Sequence, residues 1–246
     1  MLDILPDRYT ALITGASSGI GYALLNQLLS SSRAGRIITV TRQPFAIDDE
    51  RVISLTLDAT TDEGRSALNQ QLAGQPVHLF FNAIGLLHDD ARKLHPEKRL
   101  DQLNADSLQA IMHVNAFTPA LLIASLMDSF KGTHCCVIAS LSARVGSIAD
   151  NNLGGWYSYR ASKAAHNMLL KTAAIELKRL NPTSIVLCLH PGTTDTPLSK
   201  PFQARVPSEK LFTPDFTAGQ LLAVINKRTP EDSGSFWDWA GKRIEW

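Results

Sequence analysis

A tyrosine and a lysine four residues apart, Tyr159 and Lys163, are the side chains whose types and spacing best suit proton transfer. On a helix, positions i and i+4 lie on one face, so the phenol and the ammonium would be neighbours. A nearby cation favours the phenolate, and we expect Lys163 to lower the pKa of Tyr159 from about 10 toward the working range. Tyr159 is then predicted to act as a general acid or general base. The same spacing also arises by chance, so the prediction needs support from other positions.

A glycine-rich turn follows the first apolar run, at residues 14–21 (TGASSGIG). Three glycines within eight residues suit a tight turn that lets the backbone approach a ligand closely. The helix predicted after the turn offers unpaired N–H groups and a positive dipole end, which attract a phosphate. The Gly-x-Gly-x-x-Gly fingerprint and the Walker lysine are both missing, and an ordinary strand-to-helix turn is the alternative. The predicted ligand contacts are Gly15, Ser17, Ser18, Gly19, Ile20 and Gly21.

Apolar runs of strand length alternate with stretches of helical period along the chain. This alternation is typical of βαβ units, and right-handed crossovers then give a doubly wound parallel sheet with helices on both faces. The sequence therefore predicts an α/β Rossmann fold of about seven strands. Two long loops after predicted strands, residues 85–103 and 191–214, are expected to shape the substrate pocket. Strands are predicted at 9–14, 36–41, 52–57, 77–81, 133–139 and 184–189, and helices at 20–29, 62–72, 107–129, 158–180 and 215–226.

Taken in order, these motifs resemble the short-chain dehydrogenase/reductase family, whose members are single-domain enzymes of about this length. The resemblance rests on the TGxxxGxG turn, on Tyr-x-x-x-Lys, and on three further matches. These are Asn115 in HVNA, a partial match NAIG at residues 82–85, and PGTTDT at residues 191–196. Because the matches extend from Thr14 to Thr196, residues 1–246 are predicted to fold as one NAD(P)-binding domain.

The resemblance also implies roles for the matched residues. Asn115 would be an active-site amide that holds a water for proton relay, and Lys163 would also bond the nicotinamide ribose. Asp58, which closes the third predicted strand, would touch the adenine ring, and the loop after the sixth strand would hold the carboxamide. For residues 82–85, an ordinary strand-end turn is the alternative. The remaining implied cofactor contacts are Asn82, Ala83, Gly85, Tyr159, Pro191, Gly192, Thr194 and Thr196.

Arg42 lies at the end of the second predicted strand, the position that usually determines whether NAD(H) or NADP(H) is preferred. A NAD-binding fold usually places Asp or Glu about 20 residues past the glycines, where it bonds the ribose hydroxyls. Here the second predicted strand ends without an acid, and Arg42 follows Thr41 directly. A guanidinium at that point can pair bidentately with a 2′-phosphate. We therefore predict that NADP(H) is preferred and NAD(H) is possible, with a solvated surface charge as the alternative role of Arg42.

The serine that such enzymes use to bind the substrate oxygen is displaced in this sequence. The family usually ends the fifth strand with Ser-Ser, and the second serine is the catalytic one. Counting back from Gly146, that position falls on Ala143, and Ser142 stands at the first serine. Ser142 is the predicted catalytic hydroxyl, provided that the strand end is shifted by one residue, and Ser140 and Ser147 are weaker candidates. Its role would be to hydrogen-bond the carbonyl oxygen as charge develops.

The resemblance is strongest to the C-factor-like and sniffer-like carbonyl reductases, on residues 143–165 and the GSFWDWAG segment near the C-terminus. It implies an NADP(H)-dependent oxidoreductase that transfers hydride between the nicotinamide and a small carbonyl or alcohol, with Tyr159 as general acid/base. The alternative is a dinucleotide-binding sensor or signalling protein with little turnover. Family members usually form dimers or tetramers, so a homodimer or homotetramer is expected.

Composition excludes several other classes of protein. The 246 residues are 44% hydrophobic and 19% charged, which is enough apolar content for a core and argues against disorder. A net charge of +1 lacks the basic excess of nucleic-acid binders and of membrane-surface proteins. Three cysteines are too few for a disulfide framework, and no signal peptide or membrane span is visible, so we expect a cytoplasmic location. No metal site is predicted, because the histidines and acids of residues 88–95 suit a solvated loop.

Overall fold

Nine strands and seven α-helices alternate along residues 2–246, which the computed structural model describes, without the side chain at position 205. The strands are β1 (Tyr9–Thr14), β2 (Ala34–Thr41), β3 (Val52–Thr56), β4 (Leu79–Asn82), β5 (Cys136–Leu141), β6 (Ser184–His190), β7 (Thr193–Thr194), β8 (Leu211–Phe212) and β9 (Ser235–Asp238). The α-helices are α1 (Gly19–Leu29), α2 (Asp62–Leu72), α3 (Ala105–Met112), α4 (Thr118–Ser125), α5 (Met127–Phe130), α6 (Tyr157–Leu180) and α7 (Pro214–Ile225).

Seven strands form one parallel sheet in the order β3-β2-β1-β4-β5-β6-β9, which confirms the predicted doubly wound α/β fold. The chain moves outward from β1 to β3 and then crosses back to β4, on the other side of β1. The carboxyl ends of β1 and β4 therefore flank the point where the strand order reverses, and open α/β sheets bind their ligands there. β7 and β8 pair separately, inside the 191–214 loop.

Alternate residues of the central strands face opposite sides of the sheet and build two hydrophobic cores. In β1, Ala11 and Ile13 pack in the core that includes α1 and α7, whereas Leu12 packs in the core that includes α2, α4 and α6. All three side chains are fully buried. Burial of a Leu or Ile side chain contributes roughly 1.5–3 kcal/mol. The two cores therefore hold the strand ends, and the loops that follow them, in defined positions.

The helix predicted at residues 107–129 is divided in the structure. α3 is followed by a π-helical segment, His113–Phe117, and then by α4 and α5. The Thr118 hydroxyl donates a hydrogen bond of 2.8 Å to the His113 carbonyl oxygen within this turn. By length and composition alone, Ala105–Ser125 would be long enough and apolar enough to cross a membrane. In this fold the same stretch packs against α2 and α6, and the fully buried amide of Asn115 lies at its middle.

Candidate active site

A cavity of about 900 Å³ opens at the carboxyl edge of the sheet, where the strand order reverses. The turn between β1 and α1, the loops after β2 to β6 and the start of α6 form its wall. Most predicted site residues line this wall, namely Gly15, Ser17, Ser18, Gly19, Ile20, Gly21, Arg42, Asp58, Ala83, Gly85, Ser142, Tyr159, Lys163, Pro191 and Thr196. The other predicted residues, Asn82, Asn115, Gly192 and Thr194, lie behind the wall.

The turn between β1 and α1 requires glycine at two positions. Gly15 has a φ of +76°, and a Cβ on Gly21 would lie only 2.2 Å from the Gly15 carbonyl oxygen. α1 begins at Gly19 with Ser18 as its N-cap, and its first turn has no side-chain cap and no acidic residue. The N-terminus of α1, the positive end of its dipole, therefore faces the cavity, and no acidic side chain in the first turn neutralises it. This arrangement fits a bound phosphate.

Arg42 and Asp58 line the cavity beyond β2 and β3. Asp58 Oδ1 accepts hydrogen bonds from the Thr60 backbone N–H at 3.0 Å and from the Thr60 hydroxyl at 2.7 Å. Partial burial opposes ionisation of Asp58, but these bonds and the Arg42 charge hold the pKa of the carboxyl below its usual value. His113, which sequence reasoning missed, also lines this end, with Nε2 2.9 Å from the Thr60 carbonyl oxygen. The cavity thus has a cation and an ordered carboxylate at one end.

Tyr159 and Lys163 both reach the cavity wall from α6, so the structure brings the predicted proton-transfer pair together. Lys163 Nζ lies 5.8 Å from the centroid of the Tyr159 ring and donates a hydrogen bond of 2.8 Å to the Leu141 carbonyl oxygen. Burial raises the pKa of Tyr159, and burial lowers the pKa of Lys163 to about 8. The expected lowering of the Tyr159 pKa is therefore not found. Desolvation of the phenolate is the cause of the raised pKa.

Asn115 lies in the π-helical segment and holds the start of the 85–103 loop. Its Oδ1 accepts a hydrogen bond of 2.7 Å from the Leu86 backbone N–H. Its Nδ2 donates to the Leu86 carbonyl oxygen at 2.8 Å and to the Ser162 hydroxyl at 3.0 Å. The amide is fully buried, and these bonds use both of its N–H donors. In this structure Asn115 joins the loop to α6.

Ser142 and Ala143 follow β5 and make different contacts. Pairing of β5 with β6 continues in register to Leu141, and the Ser142 N–H then donates a hydrogen bond of 2.8 Å to the Leu189 carbonyl oxygen. The Ser142 hydroxyl donates a hydrogen bond of 2.6 Å to Asn167 Oδ1, and both residues are buried. Ala143 packs against the hydrophobic cluster that contains Tyr159. The Ser142 hydroxyl therefore lines the cavity but already donates its hydrogen to Asn167. The Ala143 methyl group packs against the cluster around Tyr159.

The predicted residues behind the wall support it through buried contacts. Asn82 joins three strand ends, because it accepts a bond of 2.7 Å from the Thr14 hydroxyl and donates one of 2.8 Å to Ser140. The Thr194 hydroxyl lies 2.9 Å from the Thr217 hydroxyl of α7, which anchors the loop after β6. Gly192 has a φ of +73°, and a Cβ there would lie 2.6 Å from the Phe212 ring.

Sequence reasoning did not identify the side chains that form the substrate end. Tyr159 belongs to a hydrophobic cluster with Leu87, Leu94 and Ile111. The Trp156 ring packs against Tyr159 and against Phe202, with centroids 6.1 Å and 5.1 Å apart. The only sequence signal for Leu87, Leu94 and Phe202 was their position in the two predicted loops. The wall around the phenol is therefore apolar and aromatic.

Known proteins resemble this chain over most of its length. The family model for short chain dehydrogenases matches residues 9–206. The 1-hydroxy-2-glutathionyl-2-methyl-3-butene dehydrogenase of Rhodococcus sp. (strain AD45) is 31% identical over 245 residues, which cover 96% of this chain and 99% of that protein. The structure of NADPH-bound carbonyl reductase from chicken fatty liver has a TM-score of 0.85 at 24% identity, covering 98% of this chain and 95% of that one. Carbonyl reductase Sniffer of D. melanogaster has a TM-score of 0.83 at 21% identity, covering 98% and 100%.

The region of the family match includes both the glycine turn and the proton-transfer pair, Tyr159 and Lys163. The relative from Rhodococcus aligns over nearly the whole of both chains, and the two solved structures share the fold. The chain therefore belongs to the short-chain dehydrogenase family, and it is an oxidoreductase that uses a nicotinamide dinucleotide.

Proposed function

We propose that the protein is an NADP(H)-dependent carbonyl reductase or alcohol dehydrogenase in which Tyr159 exchanges a proton with the substrate oxygen. One observation carries the proposal. Tyr159 and Lys163 lie in the wall of the same cavity as the phosphate-binding turn that begins at Gly15. A cavity at this point of a doubly wound sheet suits a dinucleotide, and its apolar end suits a small carbonyl or alcohol beside it.

Side chains of the protein transfer the proton, and the nicotinamide, when bound, supplies or accepts the hydride. In carbonyl reduction Tyr159 donates its hydroxyl proton to the substrate oxygen. Burial suits Tyr159 to this role, because its raised pKa keeps the phenol protonated at neutral pH. The Lys163 ammonium, held by the Leu141 carbonyl oxygen at 2.8 Å, stabilises the phenolate that remains. In the reverse direction the Tyr159 phenolate accepts the alcohol proton.

A preference for NADP(H) over NAD(H) is supported by Arg42. No acidic residue follows the end of β2 at Thr41, so the usual partner of the ribose hydroxyls is missing there. Arg42 is exposed on the cavity wall, and it forms no hydrogen bond or ion pair with the described side chains of residues 2–246. Its guanidinium is therefore available to pair bidentately with a 2′-phosphate.

The substrate that we propose is a carbonyl compound or alcohol with an apolar body. Leu87, Leu94 and Trp156 surround the phenol, so apolar groups next to the reacting carbon would be buried against them. Two charged side chains, Asp89 and Arg92, line the outer part of the same cavity. The Rhodococcus relative is named for a glutathionyl alcohol. A test panel should therefore contain apolar ketones, diketones and alcohols with a polar thioether arm.

The test measures NADPH oxidation and NADP⁺ reduction with this panel, for wild type and Tyr159→Phe. Tyr157→Phe is the matched control, because Tyr157 precedes Tyr159 by two residues on α6 and has Ala161, not lysine, four residues on. We expect Tyr159→Phe to lose turnover and Tyr157→Phe to keep it, with NADPH binding retained in both. NADPH binding without Tyr159-dependent turnover on any compound would refute the proposal. That result would favour the alternative function, a dinucleotide-binding sensor or signalling protein.

We also propose that the protein is a homo-oligomer, formed through the outer faces of α4 and α6. Leu121 on α4, and Met168 and Ile175 on α6, are apolar side chains that are exposed in the single chain. A second copy of the chain would bury them. Light scattering should show that Leu121→Glu reduces the assembly, while Leu153→Glu, at an exposed leucine elsewhere, leaves it intact. A wild-type monomer at all concentrations would refute this proposal.

A further inference from the structure

Glu97, in the 85–103 loop, carries a buried carboxylate that the proposed proton transfer does not use. Only 3% of the residue is exposed. Its Oε2 accepts a hydrogen bond of 3.1 Å from the Ser158 backbone N–H, and its Oε1 accepts one from the Ser158 hydroxyl. The Glu97 carbonyl oxygen accepts a further hydrogen bond from the Trp156 N–H. Three hydrogen bonds therefore join one loop residue to the start of α6.

The start of α6 has no cap from its own sequence. Trp156, the residue before the helix, has a left-handed backbone with φ +53° and ψ 44°, and its side chain makes no capping bond. The first turn of α6 also has no acidic residue. The first N–H groups of a helix have no partner within the helix and need acceptors from elsewhere. Glu97 supplies an acceptor from 61 residues earlier in the chain, at the positive end of the α6 dipole.

The Glu97 carboxylate depends on α6 in turn. No described lysine, arginine or histidine side chain forms an ion pair with it. A buried carboxylate is costly unless hydrogen bonds or an opposite charge compensate it. Here the compensation comes from the two Ser158 donors and from the helix dipole. Glutamine would keep the shape of this side chain but would lose its charge and one of its two acceptor oxygens.

The other end of the same loop is fastened by Asn115, whose amide holds the Leu86 backbone. Between the two attachment points, Leu87 and Leu94 pack against Tyr159. The loop is thus a wall of the substrate end that is attached to the π-helical segment at one side and to α6 at the other. A shift at either attachment would move the leucines relative to the phenol.

We propose that Glu97 is a positioning residue: its carboxylate fastens the substrate loop to the first turn of α6 and so holds Tyr159 in its proton-transfer position. Tyr159 directly follows Ser158, which donates a hydrogen bond to each oxygen of the Glu97 carboxylate. The inference rests on the proposed function, because it assigns the effect to the proton donor. The glycine turn and Arg42 belong to other elements, and α6 contributes only Tyr159 and Lys163 to the cavity wall, so Glu97 affects turnover more than NADPH binding.

The test compares Glu97→Gln with Glu176→Gln as the matched control. Glu176 is an exposed glutamate on α6, the helix that Glu97 contacts. In Glu97→Gln we expect faster hydrogen exchange at the amides of residues 156–159 and 86–97. We also expect kcat for carbonyl reduction to fall about tenfold or more, because a small displacement of a reacting group has a large effect on rate. The Kd of NADPH should change much less than kcat. Glu176→Gln should match wild type, and Glu97→Asp, which keeps the charge, should recover part of kcat.

Unchanged hydrogen exchange at the start of α6 in Glu97→Gln would overturn the proposal. An equal loss of kcat and of NADPH affinity would also overturn it, because that pattern indicates general loss of structure. Ser158→Ala removes the hydroxyl bond alone and serves as a milder variant if Glu97→Gln does not fold. If Tyr159→Phe keeps wild-type turnover, the proposed function fails, and the exchange measurement still decides whether Glu97 fastens the loop.

Discussion

Replacing Ala143 with serine is expected to increase the turnover of this protein. Ala143 packs against the hydrophobic cluster that contains Tyr159, whereas the Ser142 hydroxyl donates its proton to Asn167 at 2.6 Å. A serine at position 143 would carry a hydroxyl on the side chain that already meets the cluster around the proton donor. Such a hydroxyl would donate a second hydrogen bond to the substrate oxygen while negative charge develops on it.

The expected size of the increase follows from the local structure. The backbone of Ala143 is extended, with φ −149° and ψ 144°, so serine fits without strain, and the side chain is only half-buried. Removal of one pre-organised donor from an oxyanion site lowers kcat by about 10²–10³, or roughly 2.7–4 kcal/mol. Ordering the new hydroxyl offsets about 1 kcal/mol of this gain. We therefore expect kcat to rise by about 20- to 150-fold, or roughly 1.7–3 kcal/mol.

The assay measures kcat and KM for NADPH oxidation with the most active carbonyl compound, in Ala143→Ser, Ser142→Ala and wild type. Ser142→Ala is the matched comparison, because it removes the neighbouring hydroxyl. We expect it to lower the free energy of unfolding by about 1–3 kcal/mol, since Asn167 loses a buried partner, and to change kcat less. The reasoning is refuted if Ser142→Ala abolishes turnover at unchanged stability while Ala143→Ser has no effect. That result would show that Ser142 itself reaches the substrate.

Arg42→Ala is expected to raise the Kd of NADPH by about 10- to 100-fold and to leave the Kd of NADH unchanged, because a charge-assisted bidentate contact is lost. Arg36→Ala, whose guanidinium bonds Gln75 at 2.5 Å outside the cavity, is the control, and equal effects on both cofactors would contradict the assignment. The kcat/KM for carbonyl reduction is expected to fall above a pH of about 8, where Lys163 loses its charge. Lys163→Arg should remove this inflection, and its persistence would assign it to another group. Folding stability is expected to decrease by about 3 kcal/mol as the pH falls from 6.5 to about 4, because burial lowers the pKa of His190 to about 4 and the unfolded chain binds the proton first. Urea unfolding at pH 7 and pH 5 should show a smaller decrease in His190→Gln, and an equal decrease would exclude His190 as the cause.

The order of strands and helices could be predicted because the hydrophobic period of a segment is a local property of the sequence. Residues that face a core must be apolar in any arrangement of the elements, so the six predicted strands lie close to β1–β6. β9 escaped prediction, because Ser235–Asp238 is short and half polar and becomes a strand only by pairing with β6. The glycine turn was also readable, since Gly15 and Gly21 meet local steric demands.

The pKa values of the proton-transfer pair illustrate where such prediction stops. The spacing of Tyr159 and Lys163 correctly placed both side chains on one face of a helix. The direction of the pKa shift was wrong, because burial beneath side chains such as Leu87 and Leu94 disfavours the phenolate. These leucines come from a distant loop, and nothing near Tyr159 in the sequence indicates their presence.

Hydrogen bonds and charges act over a few ångströms, and they join residues that the chain separates by dozens of positions. Asn115 meets Leu86 at a separation of 29 residues, Ser142 meets Asn167 at 25, and Glu97 meets Ser158 at 61. The sequence alone was sufficient for the family, the fold and the glycine turn, because each motif is a short local stretch of the chain. The folded chain was needed to show that the Ser142 hydroxyl bonds Asn167, that the Asn115 amide bonds Leu86 and that the Glu97 carboxylate contacts the start of α6, because these contacts join distant residues.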